Sequence, residues 1–213
     1  MNPPSPTPAP APDLRERRRR ELARTIAATA VELFERNGFA ATTIDDIAGA
    51  AGISRTTFFR HCASKEAAVL VDDAGLESEL IDAAQQVSAA RPLRDLETEW
   101  ESMTEVFDAD PEGRDRFLRV RRLMRDNAPL LAAGLERDAR LTEQIATALS
   151  SRPVSDALDA RAVAESFALG MRLTFDEWVR RADHGPTSAP PPLNEVYQQV
   201  RAAIGRANGG STR

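Results

Sequence analysis

The stretch Ser54-Arg55-Thr56-Thr57-Phe58-Phe59-Arg60-His61 gathers cations and hydroxyls with few apolar neighbours. Arg55, Thr56, Thr57, Arg60 and His61 are hydrogen-bond donors, and Lys65 follows four residues later. A short helix carrying such side chains suits the DNA major groove, where base edges and flanking phosphates offer acceptors. Catalysis would need a nucleophile with its base, a metal cluster, or carboxylates in a cleft. The two histidines, His61 and His184, are far apart in sequence, and His184 stands among polar and proline residues. No catalytic residue, metal ligand set or cofactor is expected.

Two helices must hold this edge in place. The first is expected over Ile44 to Ala51, with Thr43 as its N-cap and Asp45 and Asp46 at the positive end of its dipole. Ile44, Ile47, Ala48 and Ala51 repeat at i, i+3, i+4 and i+7, giving one apolar face. Gly52 sits where a left-handed turn ends the helix, and Ile53 plugs the corner. Ser54 caps the second helix, Arg55 to His61, anchored by Ile53 and Phe58. Ser64 caps the helix behind it. Lys65 in that first turn opposes the dipole, and a nearby phosphate would explain it.

With the preceding ELFERNGFAATTIDDIAGAAG, the run GISRTTFFRHCASKE resembles the DNA-binding domain of TetR-type (tetracycline-repressor-type) transcriptional regulators. The resemblance covers residues 21 to 70. It implies an all-helical homodimer with a ligand pocket in a divergent C-terminal domain, and for His61 a phosphate contact. Two positions depart from the family pattern. Phe59 stands where tyrosine is usual, so its contact with DNA would be apolar, for instance to a thymine methyl. Cys62 stands where phenylalanine is usual; a small packing thiol is the preferred reading over a redox switch.

The charge of −5 at first argues against DNA, but its distribution does not. Residues 1 to 70 hold 10 Arg/Lys against 8 Asp/Glu, and residues 71 to 213 hold 18 against 25. Affinity depends on the local patch rather than the total. The Arg15, Arg17, Arg18, Arg19, Arg20 run reads either as an arm that follows the phosphates or enters the adjacent minor groove, or as a solvated helix start, with DNA contact favoured by its place beside the reading head. Residues 1 to 12 are proline-rich and expected to be a disordered tail. With 42% apolar residues, no run long enough for a membrane span and no signal-peptide apolar region, the chain is expected to be soluble and cytoplasmic, with no membrane partner. One cysteine excludes an internal disulfide framework.

The expected fold is all-α, about nine helices. A three-helix DNA-binding domain with its helix-turn-helix spans 13 to 63, and an effector-binding and dimerisation domain spans 64 to 213. The opening helix runs from Asp13 to Arg36, with Leu22, Ile26, Ala30, Leu33 and Phe34 as its buried stripe. A single long helix from Ser64 to about Ser88 would join the two domains and transmit a signal. Five further helices follow Pro92. Trp100, Phe107, Phe117, Met124, Met171 and Phe175 are candidates to line a pocket for a mostly apolar molecule, although each on its own is more ordinary as core. The Phe175-Asp176-Glu177-Trp178 segment with Arg121 and Arg122 is weakly similar to TetR-type regulators with acyl-CoA-like effectors. The stripe Leu193, Val196, Tyr197, Val200, Ile204 pairs with a second copy in a four-helix bundle, or else closes the monomer's own core.

The function expected is a ligand-responsive regulator, a repressor, that binds a palindromic duplex as a homodimer and is released by a small-molecule effector. Arg55, Thr56 and Phe59 are assigned to base edges. Ser54, Thr57, His61, Lys65 and Thr43 are assigned to phosphates, and Arg60 to either. Thr42 is read as a cap or a phosphate contact. A constitutive architectural DNA binder is the alternative, opposed by the large C-terminal part; an enzyme is the weaker third reading.

Overall fold

Local signals decide where the helices begin and end. In the computed structural model, which describes residues 14–71, 76–151, 156–184, 190–207 and 209, helix α1 spans Leu14–Asn37 and stops at Gly38, whose φ of +85° is open to glycine at low cost. Helix α2, Ile44–Ala50, starts on a complete capping box: Thr43 accepts from the Asp46 N–H, and Asp46 accepts from the Thr43 N–H. It ends in a Schellman turn. Gly52 (φ +68°) donates to Gly49 O at 3.1 Å, and Ile53 donates to Ala48 O at 2.9 Å. Ser54 caps α3, Arg55–His61, by accepting from Thr57 N, and Ser64 caps α4, Lys65–Val69, by accepting from Ala67 N.

The remaining helices are α5 (Leu76–Gln86), α6 (Pro92–Asp108), α7 (Pro111–Asp126), α8 (Ala128–Ser150), α9 (Ala157–His184) and α10 (Leu193–Ala207). The described residues contain helices and no strands, so the all-α expectation is met, with ten helices rather than nine. The additional one arises because the helix from Ser64 is not continuous. Leu70 leaves helical geometry at φ −100°, ψ 25°, and helix resumes at Leu76. The proline-rich tail expected over residues 1–12 lies outside the described residues. None of the described helices is long and apolar enough to cross a membrane.

Two apolar clusters organise the chain. The first joins α1 to α4 through Ile26, Ala30, Phe34, Ile47, Phe58 and Ala68. It also takes in Val120, Leu123 and Met124 of α7 and Leu130 of α8, so the helix-turn-helix is seated on those two helices as well as on α4. An Arg119–Glu35 ion pair ties α7 to α1 at the same junction. The second cluster holds the C-terminal helices together around Leu96, Trp100, Phe167, Trp178 and Tyr197.

The α10 stripe corrects an expectation. Leu193, Val196 and Tyr197 are 1%, 0% and 1% exposed, so they close the monomer's core and cannot meet a second copy. What α9 and α10 leave outside is different: Leu169 and Leu173 are exposed one turn apart, and Val200, Ala203 and Ile204 lie across a groove of about 530 Å³ from Leu173. That groove is rimmed by Asp176, Arg180 and Arg206.

Candidate nucleic-acid interface

Phe58 is the anchor of the reading helix. Its ring is fully buried, which turns the opposite edge of α3 outward. Ser54, Arg55, Thr56, Phe59 and Arg60 are exposed, and Thr57 and His61 are half-buried. Phe59 is 46% exposed and stands edge-on to Phe58, ring centroids 5.7 Å apart. The structure thus brings seven of the nine nominated residues onto one short helix and its cap, with Thr43 and Lys65 at the starts of α2 and α4 on either side.

Several of these groups are already engaged. Arg55 Nη1 donates to both carboxylate oxygens of Asp45 on α2, each at 2.8 Å, and its guanidinium lies 5.3 Å from the Phe59 ring centroid. The Ser54 and Thr57 hydroxyls share a hydrogen bond of 2.9 Å. The Thr43 hydroxyl donates to Asp46 at 2.7 Å, so to donate to a phosphate it would have to leave its own cap. Thr42 is buried, and its hydroxyl donates to Gly38 O at 2.9 Å and Leu33 O at 3.3 Å, so it neither caps α2, which Thr43 does, nor faces a phosphate.

Lys65 has a local reason for its place. Its ammonium donates to Phe39 O at 2.7 Å and Thr42 O at 3.1 Å, and it lies 4.1 Å from the Phe39 ring centroid. Two carbonyls and a ring face thus offset the unfavourable dipole without invoking a phosphate. Of its three N–H groups, one remains for a further acceptor.

His61 is held below its ordinary pKa, first by partial burial and then by the charges of Arg19 and Arg60. The proximity of Arg19 places the basic start of α1 beside the end of α3. That start is helical from Leu14. Cys62 is 3% exposed, and burial pushes its thiol up to about 11, which suits a packing group and opposes a redox switch.

The proposed pocket residues divide. Trp100, Phe107, Phe117 and Phe175 form one run of ring contacts, with centroids 4.9 to 5.7 Å apart along it, and Met171 packs against the same cluster. Met124 does not join them. It belongs to the helix-turn-helix cluster, and its terminal methyl fills the space where a Cβ on Gly134 would stand. Neither cleft described in the C-terminal part is lined by the six: besides the α9/α10 groove, one of about 800 Å³ lies between α5 and α6, bordered by Glu79, Asp82, Asp95 and Glu99. Trp100 Nε1 is buried without a hydrogen-bond partner. Arg121 and Arg122 are committed to Asp176 and Asp183 on α9.

Two residues have roles that the sequence does not announce. Local pattern gives Asp45 only a place at the helix dipole, and Phe39 only a place closing the core. Their partners, Arg55 and Lys65, lie 10 and 26 residues away on other helices, a distance at which no periodic pattern operates.

Comparison with known proteins agrees with this geometry. Residues 26–70 match the family described as bacterial regulatory proteins, tetR family. The transcriptional regulator TcmR of Streptomyces glaucescens is 29% identical over 177 residues, 80% of this chain and 78% of that protein. The transcriptional regulator MftR of Mycobacterium tuberculosis is 29% identical over 194 residues, 90% of this chain and 96% of that protein. Among solved structures, Thermus thermophilus FadR, a TetR-family transcriptional repressor in complex with lauroyl-CoA, superposes with a TM-score of 0.52 at 23% identity, covering 90% of this chain and 96% of that one. Residues 26–70 thus form a helix-turn-helix domain of the tetR family, and the chain is similar to transcriptional regulators along most of its length and shares an all-helical fold with one of them.

Proposed function

We propose that this regulator is a ligand-responsive repressor that binds a palindromic operator as a homodimer. The observation that carries the reading is the outward edge of α3, with Phe58 buried beneath it. Arg55, Thr56 and Phe59 face base edges in the major groove. Ser54, Thr57 and His61 hold phosphates, Arg60 holds either, and Lys65 contributes through its one remaining N–H. Thr43 acts mainly by fixing α2, since its hydroxyl is spent on Asp46.

A palindromic half-site reader needs a two-fold partner. The exposed Leu169, Leu173 and Ala203 and the half-buried Ile204, with charged residues around them, supply a self-complementary apolar face on α9 and α10. In this arrangement the two reading heads lie at a separation that the C-terminal helices set.

The effector is a small, mostly apolar molecule that contacts Trp100, Phe107, Phe117, Met171 and Phe175. Because these rings already touch one another, it enters by parting them, and the unpartnered Trp100 Nε1 gives it one donor. The signal reaches the head through α7 and α8, which share its core, as well as through α4. It changes DNA binding only if the ligand prefers one head separation over the other.

Selection of bound fragments from random duplexes, followed by a ligand screen for release, tests the reading. An enriched palindrome that a small apolar molecule releases is the expected result. A duplex-binding protein with no preferred sequence would overturn it, and one indifferent to every ligand would leave the architectural alternative standing.

A further inference from the structure

We infer that Asp45 is a positioning residue for base recognition: it orients the Arg55 guanidinium so that its remaining donor edge meets a guanine. This inference rests on the proposed role of Arg55 in the major groove.

A place in the first turn of α2 suits the helix dipole but does not account for the partner that Asp45 holds. It lies exposed on the face that would meet phosphates, where a carboxylate repels them. The cap of α2 does not need it, because Thr43 and Asp46 complete the capping box between them. Instead it accepts from Arg55 Nη1 with both oxygens at 2.8 Å.

The consequence for Arg55 is directional. Its head carries five N–H groups in a rigid fork. With Nη1 turned to Asp45, Nε and Nη2 form the other edge, which matches the O6 and N7 acceptors of guanine. Phe59 supports the same guanidinium at 5.3 Å, and Phe59 in turn stands edge-on to the fully buried Phe58. A chain of contacts thus runs from the core to the donor edge, with Asp45 closing it from α2. The pair is exposed, so it biases orientation rather than locking it, an effect of about two- to five-fold.

The test compares wild type, Arg55→Ala, Asp45→Ala, Asp45→Glu and the double variant by selection from randomised duplexes, with thermal melting as a control. Wild type should choose guanine at one position in each half-site, and Arg55→Ala should abolish that choice. Asp45→Ala should relax it about two- to five-fold at that position alone, while binding to unrelated duplex stays level or tightens. Asp45→Glu should restore part of the preference, and Asp45→Ala should change nothing at that position in the Arg55→Ala background. If Arg55→Ala leaves the choice intact, the Arg55 reading itself fails. If Arg55→Ala abolishes the choice and Asp45→Ala keeps it, or weakens all duplexes equally with a lowered melting point, the role of Asp45 is refuted.

Discussion

Replacing Lys65 with Met separates two jobs that one ammonium could do. The substitution keeps the stem and removes the charge. With the charge go two charge-assisted hydrogen bonds, to Phe39 O and Thr42 O, and the approach to the Phe39 ring. Hydrogen bonds to charged groups are worth about 1.5–3 kcal/mol each, and a cation over a ring adds about 0.5–1 kcal/mol at an exposed site. Lys65 is half-buried, so water replaces part of this and the loss falls below the summed low end of about 3.5 kcal/mol, to about 2–3 kcal/mol. For a chain of this size that corresponds to a fall in Tm of roughly 5–10 °C. Calorimetry reads it directly, and a salt titration of operator binding reads the other job. Loss of a phosphate contact lowers the salt slope by about 0.9. A drop in Tm in the predicted range, with a slope change no larger than that, is the expected result. An unchanged Tm with a slope reduced by the full amount would refute the reasoning and make Lys65 a phosphate ligand alone.

Leu173→Glu with Ile204→Glu should give a folded monomer in sedimentation, whereas Val196→Glu should fail to fold; a persisting dimer in the first variant would displace the proposed face. His61 is held below its ordinary pKa in the free protein, and a phosphate would raise it, so DNA binding takes up a proton and affinity should tighten as pH falls from 8 to 6. His61→Gln should flatten that dependence, and an identical slope in the variant would remove His61 from the phosphate contacts. The thiol of Cys62, pushed up to about 11, should react with iodoacetamide at pH 8 about 100-fold more slowly in the native protein than in the unfolded chain; equal rates would contradict its burial.

Caps and turns are legible in the sequence because each lies within a few residues of its effect. Thr43, Ser54, Ser64 and Gly52 stand where sequence reasoning puts them, since a hydroxyl three residues before an N–H needs no tertiary information. The reading edge of α3 is legible for the same reason: one buried phenylalanine on a seven-residue helix fixes which side faces out. Partnership is not. The α10 stripe says that Val196 and Tyr197 are buried, but not whether a second copy or their own chain buries them. Met124 carries the same apolar signature as Met171 and packs in a different core. Lys65 looks anomalous in sequence because a helix dipole is local, while the carbonyls that answer it come from the turn between α1 and α2.

Recognition of an operator depends on α3 entering a double helix, and guanine N7 reports this most directly because it lies in the major groove. Methylation protection on a selected duplex should show guanines shielded in two patches related by two-fold symmetry, one helical turn or a multiple apart. In Arg55→Ala the shielding should fade at one guanine of each patch and persist elsewhere. Shielding confined to minor-groove adenine N3, or absent on every duplex the protein binds, would contradict it.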